Sequence, residues 1–357
     1  MKVFFVFGTR PEFIKLFPLI KEAKERGHEL KIIHTGQHFS FDMSELILNE
    51  LNICVDINLG ISALSRTKQI SMMLEKLNEL FLIDLPDIVF AQGDTNSVVS
   101  AALASNFLGV KFAHVEAGIR SFDRNMPEEV NRVLVDQISD YLFAPTLESK
   151  KNLMNSETNK KGIFVVGNTI VDSLLISKEL SKKSNILKSL GINEGNYCVL
   201  TMHRSENVDD KEKLESVLNA LKESKELFIF PIHPRTKKNM EKFGLENYFK
   251  LNNVKFIAPL GFFDFLNLCS NSKLILTDSG GIQEEASIYK KPVVVIRENT
   301  ERPEIIGSFS MLVGTNKEKI IAGLNKMSDK DLSKFDCPYG DGLTSKKIMD
   351  IIEEGLY

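Results

Sequence analysis

The chain has no tryptophan, only four cysteines and six histidines among 357 residues, and no long apolar run. Each scarcity excludes something. The cysteines, at 54, 198, 269 and 337, are too far apart for a zinc knuckle or a Cys-x-x-Cys redox pair, so they read as free thiols of a cytoplasmic protein. The longest uncharged stretch, residues 95–110, holds a Thr, two Asn and three Ser. It is too polar and too short to cross about 30 Å of hydrocarbon, so no membrane span is expected. The opening apolar run ends at Phe7 with Arg10, Glu12 and Lys15 close behind, the pattern of a strand and not of a secretion signal. An excess of positive charge is missing too. Against 48 Asp+Glu, 45 Lys+Arg leave a net −3, which gives no field for nucleic acid or anionic lipid. Any anion bound needs a local site.

What is present is an ordinary globular mixture, 43% hydrophobic and 26% charged with 24 Phe, long enough for two domains of about 150 residues. Short apolar runs alternate with helical patterns, the mark of βαβ units and a parallel sheet. The runs fall at 3–7, 30–34, 88–91, 111–115, 141–143 and 163–166. After one long helical stretch over 169–190 the rhythm restarts at 197–202, 227–231, 254–257, 273–277 and 292–296. The expected fold class is therefore α/β, two doubly wound Rossmann-like domains: residues 1–170, residues 171–340, and a closing amphipathic helix over 341–357 packing back on the first domain.

Ligands of open parallel sheets bind beyond the carboxyl ends of the strands. There the chain carries Gly8-Thr9-Arg10-Pro11-Glu12, Gln92-Gly93-Asp94-Thr95, Glu116-Ala117-Gly118, His203-Arg204 and Asp278-Ser279-Gly280-Gly281. Five of the six histidines (34, 38, 114, 203, 233) also fall at or beside strand ends. The glycines and Ser279 suit a diphosphate at a helix N-terminus, with Arg10 and Lys15 adjacent to the first such turn. Glu285, about a turn into its helix, could accept two sugar hydroxyls. No Walker loop or Gly-x-Gly-x-x-Gly fingerprint occurs, so no NAD and no other cofactor is expected. Asp94, Glu116, and the pair Glu128 and Glu129 after Pro127 could converge, and one crowded carboxyl should then keep a proton and act as an acid. The competing reading pairs these acids with Arg120, Arg124 or Arg132. Alternation would place His114 and Glu116 on one strand face, but no third metal ligand is evident, so no metal is expected.

Along nearly its whole length the sequence resembles the non-hydrolysing UDP-N-acetylglucosamine 2-epimerases. The matching segments run from Gly8-Thr9-Arg10-Pro11-Glu12 through Gln92-Gly93-Asp94-Thr95, His114-Val115-Glu116-Ala117-Gly118, His203-Arg204 and Thr300-Glu301-Arg302-Pro303-Glu304 to Pro338-Tyr339-Gly340-Asp341-Gly342. The resemblance implies a glycosyltransferase-B architecture with two domains facing a cleft, a UDP-sugar substrate, a homodimer, and conversion of UDP-GlcNAc to UDP-ManNAc without NAD. The C2 proton is not adjacent to a carbonyl, so such an enzyme eliminates UDP to 2-acetamidoglucal and adds it back. Matching positions imply Asp94, Glu116, Glu128 and His203 as catalytic residues. Arg10, Lys15 and Arg132 would surround the phosphates, and Ser279, Gly280, Gly281 and Glu285 would hold UDP. Two departures stand out. Gly36-Gln37-His38-Phe39-Ser40 lacks the Arg of the relatives' activator segment, and residues 121–126 look like those of archaeal members and of epimerases for more modified UDP sugars. The alternatives are a 2-epimerase for such a sugar, a hydrolysing epimerase, a glycosyltransferase of the same architecture, and a UDP-sugar sensor.

Overall fold

A computed structural model describes residues 1–37, 53–62 and 65–355. His38, Phe39 and Ser40, on which the reading of the activator segment turned, lie outside them. The described chain falls into two compact units, Met1–Ile176 with Tyr339–Tyr357, and Ser177–Pro338.

The first unit is built on seven strands: β1 (Lys2–Phe7), β2 (Glu29–His34), β3 (Ile57–Asn58), β4 (Ile88–Gln92), β5 (Lys111–Val115), β6 (Tyr141–Ala144) and β7 (Ile163–Val165). All pair in parallel in the order β3-β2-β1-β4-β5-β6-β7. A strand covered on both faces has no need of polar alternation, which is why β1 is a continuous apolar run. Phe4 and Val6 pack toward the helices Arg66–Ile83 and Asn96–Phe107, while Phe5 stacks on Phe90 on the opposite face at 5.3 Å between centroids. Helix Asn96–Phe107 accounts for the long uncharged stretch. Ala101, Ala102 and Ala104 let it lie close on the sheet, and the hydroxyls of Ser100 and Ser105 donate to the carbonyls of Asn96 and Ala101 within the helix.

The second unit carries six parallel strands: β8 (Cys198–Thr201), β9 (Phe228–Pro231), β10 (Val254–Ile257), β11 (Leu274–Thr277), β12 (Val293–Val295) and β13 (Ser310–Leu312). Their order is β10-β9-β8-β11-β12-β13. Each sheet thus reverses its strand order once, between β1 and β4 and between β8 and β11, and the crevice at such a reversal is where these sheets take ligands.

Some local expectations change. The helical stretch over 169–190 is two helices, Thr169–Ser181 and Ile186–Leu190. Ser184 breaks it, its hydroxyl accepting the Ile186 N–H at 3.1 Å and donating to Asp264 at 2.5 Å. The two short strands β3 and β13 show no apolar run long enough to mark them. Helix Thr344–Gly355 belongs to the first unit, held there by Arg26, which meets Asp350 and Glu353 at 2.8 Å each, and by Asp172, which accepts the Ser345 N–H at 2.8 Å.

Candidate active site

In the first unit the β4 turn leads Asp94 into helix Asn96–Phe107, and Gly93 takes φ +85° to make the bend. Asp94 meets Arg132 at 2.5 Å, and its backbone carbonyl accepts from Asn131 at 2.7 Å. Arg132 also reaches Glu129 at 2.9 Å. Glu129 is buried and accepts the N–H groups of Ser121 and Phe122 at 2.8 and 3.1 Å. Burial alone would raise the Glu129 carboxyl; those N–H groups and Arg132 together outweigh it and hold the group below its ordinary value. Glu129 therefore fixes the segment ahead of Pro127, while Glu128, beside it in the first turn of helix Pro127–Ile138, is exposed.

Glu116 follows β5 with φ +72°, a left-handed conformation that is uncommon without glycine. Its N–H and that of Ala117 both donate to the Phe143 carbonyl, and its carboxylate lies 2.7 Å from the Lys15 ammonium and accepts from Gln92. This corrects the placement of His114 and Glu116 on one strand face. β5 ends at Val115, so alternation stops before Glu116. His114 stays in the core, its Nδ1 2.7 Å from Asp136 and its Nε2 donating to the Gly93 carbonyl at 2.8 Å, with Arg120 completing the Asp136 pair at 2.6 Å.

Lys15 is buried against Glu116, whereas Arg10 is exposed at the start of helix Arg10–Glu25. Cations thus stand against both Asp94 and Glu116. Among these turns, a carboxyl that burial drives toward its neutral form is one the sequence reading passed over: Glu12, pushed up to about 7.

In the second unit Asp278, fully buried after β11, accepts the N–H groups of His203 and Arg204 at 2.9 Å each and an amide hydrogen of Asn207 at 3.3 Å. It thereby shapes the turn after β8. The His203 ring, its side chain 44% exposed, has Nδ1 3.4 Å from Asp278 and lies 5.7 Å from the His233 ring. Ser279 caps helix Gly280–Ile288 without a side-chain hydrogen bond to it. A Cβ at Gly280 would meet nothing nearer than Glu301 Oε2 at 3.8 Å, and one at Gly281 nothing nearer than Ser279 Oγ at 4.0 Å. Packing therefore does not demand these glycines, whereas close approach of a ligand to the helix N-terminus would. Glu285 is half-buried in that helix.

Beside it runs an ion-pair chain absent from the sequence reading. Glu301 meets Arg297 at 2.6 Å and Arg204 at 3.2 Å, and Arg302 pairs with Glu284. Three arginines around Glu301 outweigh its burial and hold the carboxyl down to about 2. Only the Thr300-Glu301-Arg302 segment hinted at it.

The family model described as UDP-N-acetylglucosamine 2-epimerase matches residues 21–353. The chain belongs to the UDP-N-acetylglucosamine 2-epimerase family. It is 44% identical to the UDP-N-acetylglucosamine 2-epimerase of Methanocaldococcus jannaschii, covering 100% of both chains. It is 36% identical to the UDP-2,3-diacetamido-2,3-dideoxy-D-glucuronate 2-epimerase of Pseudomonas aeruginosa, covering 99% of each. The crystal structure of the M. jannaschii UDP-GlcNAc 2-epimerase in complex with UDP-GlcNAc and UDP superposes with a TM-score of 0.90, over 99% of this chain and 100% of that one. The two parallel α/β sheets are accordingly those of the glycosyltransferase-B fold found in this epimerase family.

Proposed function

We propose that the chain interconverts UDP-N-acetylglucosamine and UDP-N-acetylmannosamine by eliminating UDP and the C2 proton to give 2-acetamidoglucal, then returning a proton to the opposite face of C2 as UDP re-adds at C1. The observation that carries this reading is the buried Glu116 carboxylate in a left-handed turn, set against Lys15 and Gln92, in a member of this family. Backbone strain at a strand end is worth its cost of about 1–3 kcal/mol where it aims a reactive group. Glu116, Asp94 and Glu128 are the proton-handling groups for the two faces of C2. Arg10, Lys15, Arg132 and His203 meet the charge that develops as the anomeric C–O bond breaks. Ser279, Gly280 and Gly281 offer N–H groups and a hydroxyl to UDP, and Glu285 takes its ribose hydroxyls. Among the described residues, no group of three His, Cys, Asp or Glu fit to hold a metal occurs.

Incubation with UDP-GlcNAc alone in D2O tests the scheme: UDP-ManNAc carrying deuterium at C2 is expected, with traces of 2-acetamidoglucal and UDP. Free ManNAc would identify a hydrolysing enzyme, and product keeping its original hydrogen would overturn the elimination. Glu116→Gln should lose roughly 10²–10⁴-fold in turnover and keep its affinity for UDP.

The P. aeruginosa relative favours a second reading in which the reaction stands and the sugar is more decorated. Parallel assays with UDP-GlcNAc and with UDP-2,3-diacetamido-2,3-dideoxy-D-glucuronate separate the two by their kcat/KM. Under either reading the chain works as a homodimer. Val130 and Leu134, four apart on helix Pro127–Ile138, present an exposed apolar stripe that a second copy would cover. A monomer mass by light scattering at micromolar concentration would refute this.

A further inference from the structure

The turns after β1 and β4 lie next to each other where the first sheet reverses its order, and one side chain joins them. Glu12, in the first turn of helix Arg10–Glu25, is 2% exposed. One of its oxygens accepts the Gly8 N–H at 3.1 Å, and the other meets the Thr95 hydroxyl at 2.7 Å. Gly8 has no space for a side chain: a Cβ there would sit 2.1 Å from Ser97 Oγ and 2.4 Å from Thr35 Oγ1. The His34 ring bonds the Gly8 backbone as well.

We infer that Glu12 is a positioning residue for the epimerisation, clamping the turn that carries Arg10 to the turn that carries Asp94. The inference rests on the reading of the site proposed above. Both contacts survive a change in the protonation of Glu12, but the Thr95 hydroxyl must reverse. An ionised Glu12 accepts the Thr95 proton; a protonated one donates to Thr95 Oγ1 and leaves the hydroxyl hydrogen to seek another acceptor. Burial pushes Glu12 up to about 7, hydrogen bonds from Thr95, Thr9 and Gly8 work against that rise, and the charge of Asp94 on the β4 turn adds to it. At neutral pH both forms are therefore populated. His34, at the end of β2, is lowered by its own burial, and on the helix that carries Glu12, Lys15 is engaged with Glu116 while Arg10 is exposed.

Glu12→Gln copies the protonated form, its amide oxygen accepting from Gly8 and its NH2 donating to Thr95. Glu12→Ala leaves both donors unpaired. We expect wild-type kcat to bend between about pH 6 and 8 and the bend to be absent from Glu12→Gln, whose KM stays within about twofold. Glu12→Ala should lose roughly tenfold or more in kcat while remaining folded by circular dichroism. Superimposable pH profiles for wild type and Glu12→Gln, or losses confined to melting temperature, would overturn the inference. If Glu12→Ala does not fold, the Glu12→Gln profile decides alone. A wild-type protein inactive on every UDP-N-acetyl sugar tried would instead overturn the reading of the site, and this inference with it.

Discussion

Two buried glutamates with opposite shifts make stability depend on pH from both sides. Glu301, held at about 2 against an ordinary 4.5, contributes stability that is present above about 4.5 and lost as pH falls through about 2. Glu12, raised from 4.5 to about 7, contributes stability that is full below about 4.5 and lost as pH rises through about 7. Each shift corresponds to about 3 kcal/mol as an order of magnitude. Melting temperature followed from pH 3 to 8 should therefore decline less toward alkaline pH in Glu12→Gln than in wild type. Glu301→Gln should flatten the acid limb instead, while lowering stability at pH 7 because three arginines lose their carboxylate. Parallel curves for wild type and Glu12→Gln would show that the carboxyl titrates no higher than in the unfolded chain. Residue identities at the strand ends were legible in the sequence, but these shifts were not. They arise from burial and from partners such as Thr95 and Arg204, which lie 83 and 97 positions away in the chain.

At the scale of elements, the turns hold the site, and each is secured by a buried acceptor or by a glycine without space around it. Asp278 gathers the N–H groups of His203 and Arg204 and the amide of Asn207. Asn at 278 keeps the shape but turns one acceptor into a donor that faces other donors, at a cost of about 1–3 kcal/mol. Asp278→Asn should accordingly lower the melting temperature and, by loosening the turn after β8, lower kcat by more than a comparably destabilising core substitution such as Ile275→Val. Equal kinetic effects in the two variants would mean that the turn only supports the fold. The glycines behave likewise. Gly118, at φ +83°, would push a Cβ to 2.3 Å from the Ser149 carbonyl oxygen, whereas Gly109, at φ +69°, has nothing within 4 Å. Gly118→Ala should thus destabilise well beyond Gly109→Ala in a denaturant titration, since both pay the backbone strain and only one meets a clash. Sequence periodicity found most of the strands and placed these turns after them. It could not tell a glycine that packing requires, such as Gly118, from one with open space before it, such as Gly280.

At the scale of the whole molecule, the second unit is one continuous piece of chain and the first is not. Residues 177–338 enclose their own core, with Leu200, Phe228, Leu276 and Ile320 among its buried members, and every strand of their sheet. A chain limited to these residues should fold with a cooperative melt. If the proposed role of Ser279, Gly280 and Gly281 holds, it should also bind UDP in a calorimetric titration. A chain cut after residue 338 should lose stability in the first unit by several kcal/mol, because the apolar face of helix Thr344–Gly355, with Ile348, Met349 and Ile352 buried, and the pairs of Arg26 with Asp350 and Glu353 go with it. An isolated second unit that stays unfolded, or a truncated chain as stable as the whole, would contradict this division.

The sequence by itself determined the α/β class, the two parallel sheets and the family, because apolar runs of strand length and the residues that directly follow them are local features. It also placed Asp94, Glu116, His203 and Ser279 at carboxyl ends of strands, since a parallel sheet leaves a post-strand residue no other edge. Tertiary structure alone decided which charges those residues meet. Lys15 stands against Glu116 and Arg132 against Asp94, 101 and 38 positions apart, while Glu12, enclosed by the turns after β1 and β4, is raised to about 7 chiefly by burial. The physical reason is that a carboxyl's affinity for its proton depends on burial and on the sum of nearby charges. Both are set by what the fold brings within a few ångströms, and neither is written in the order of the chain.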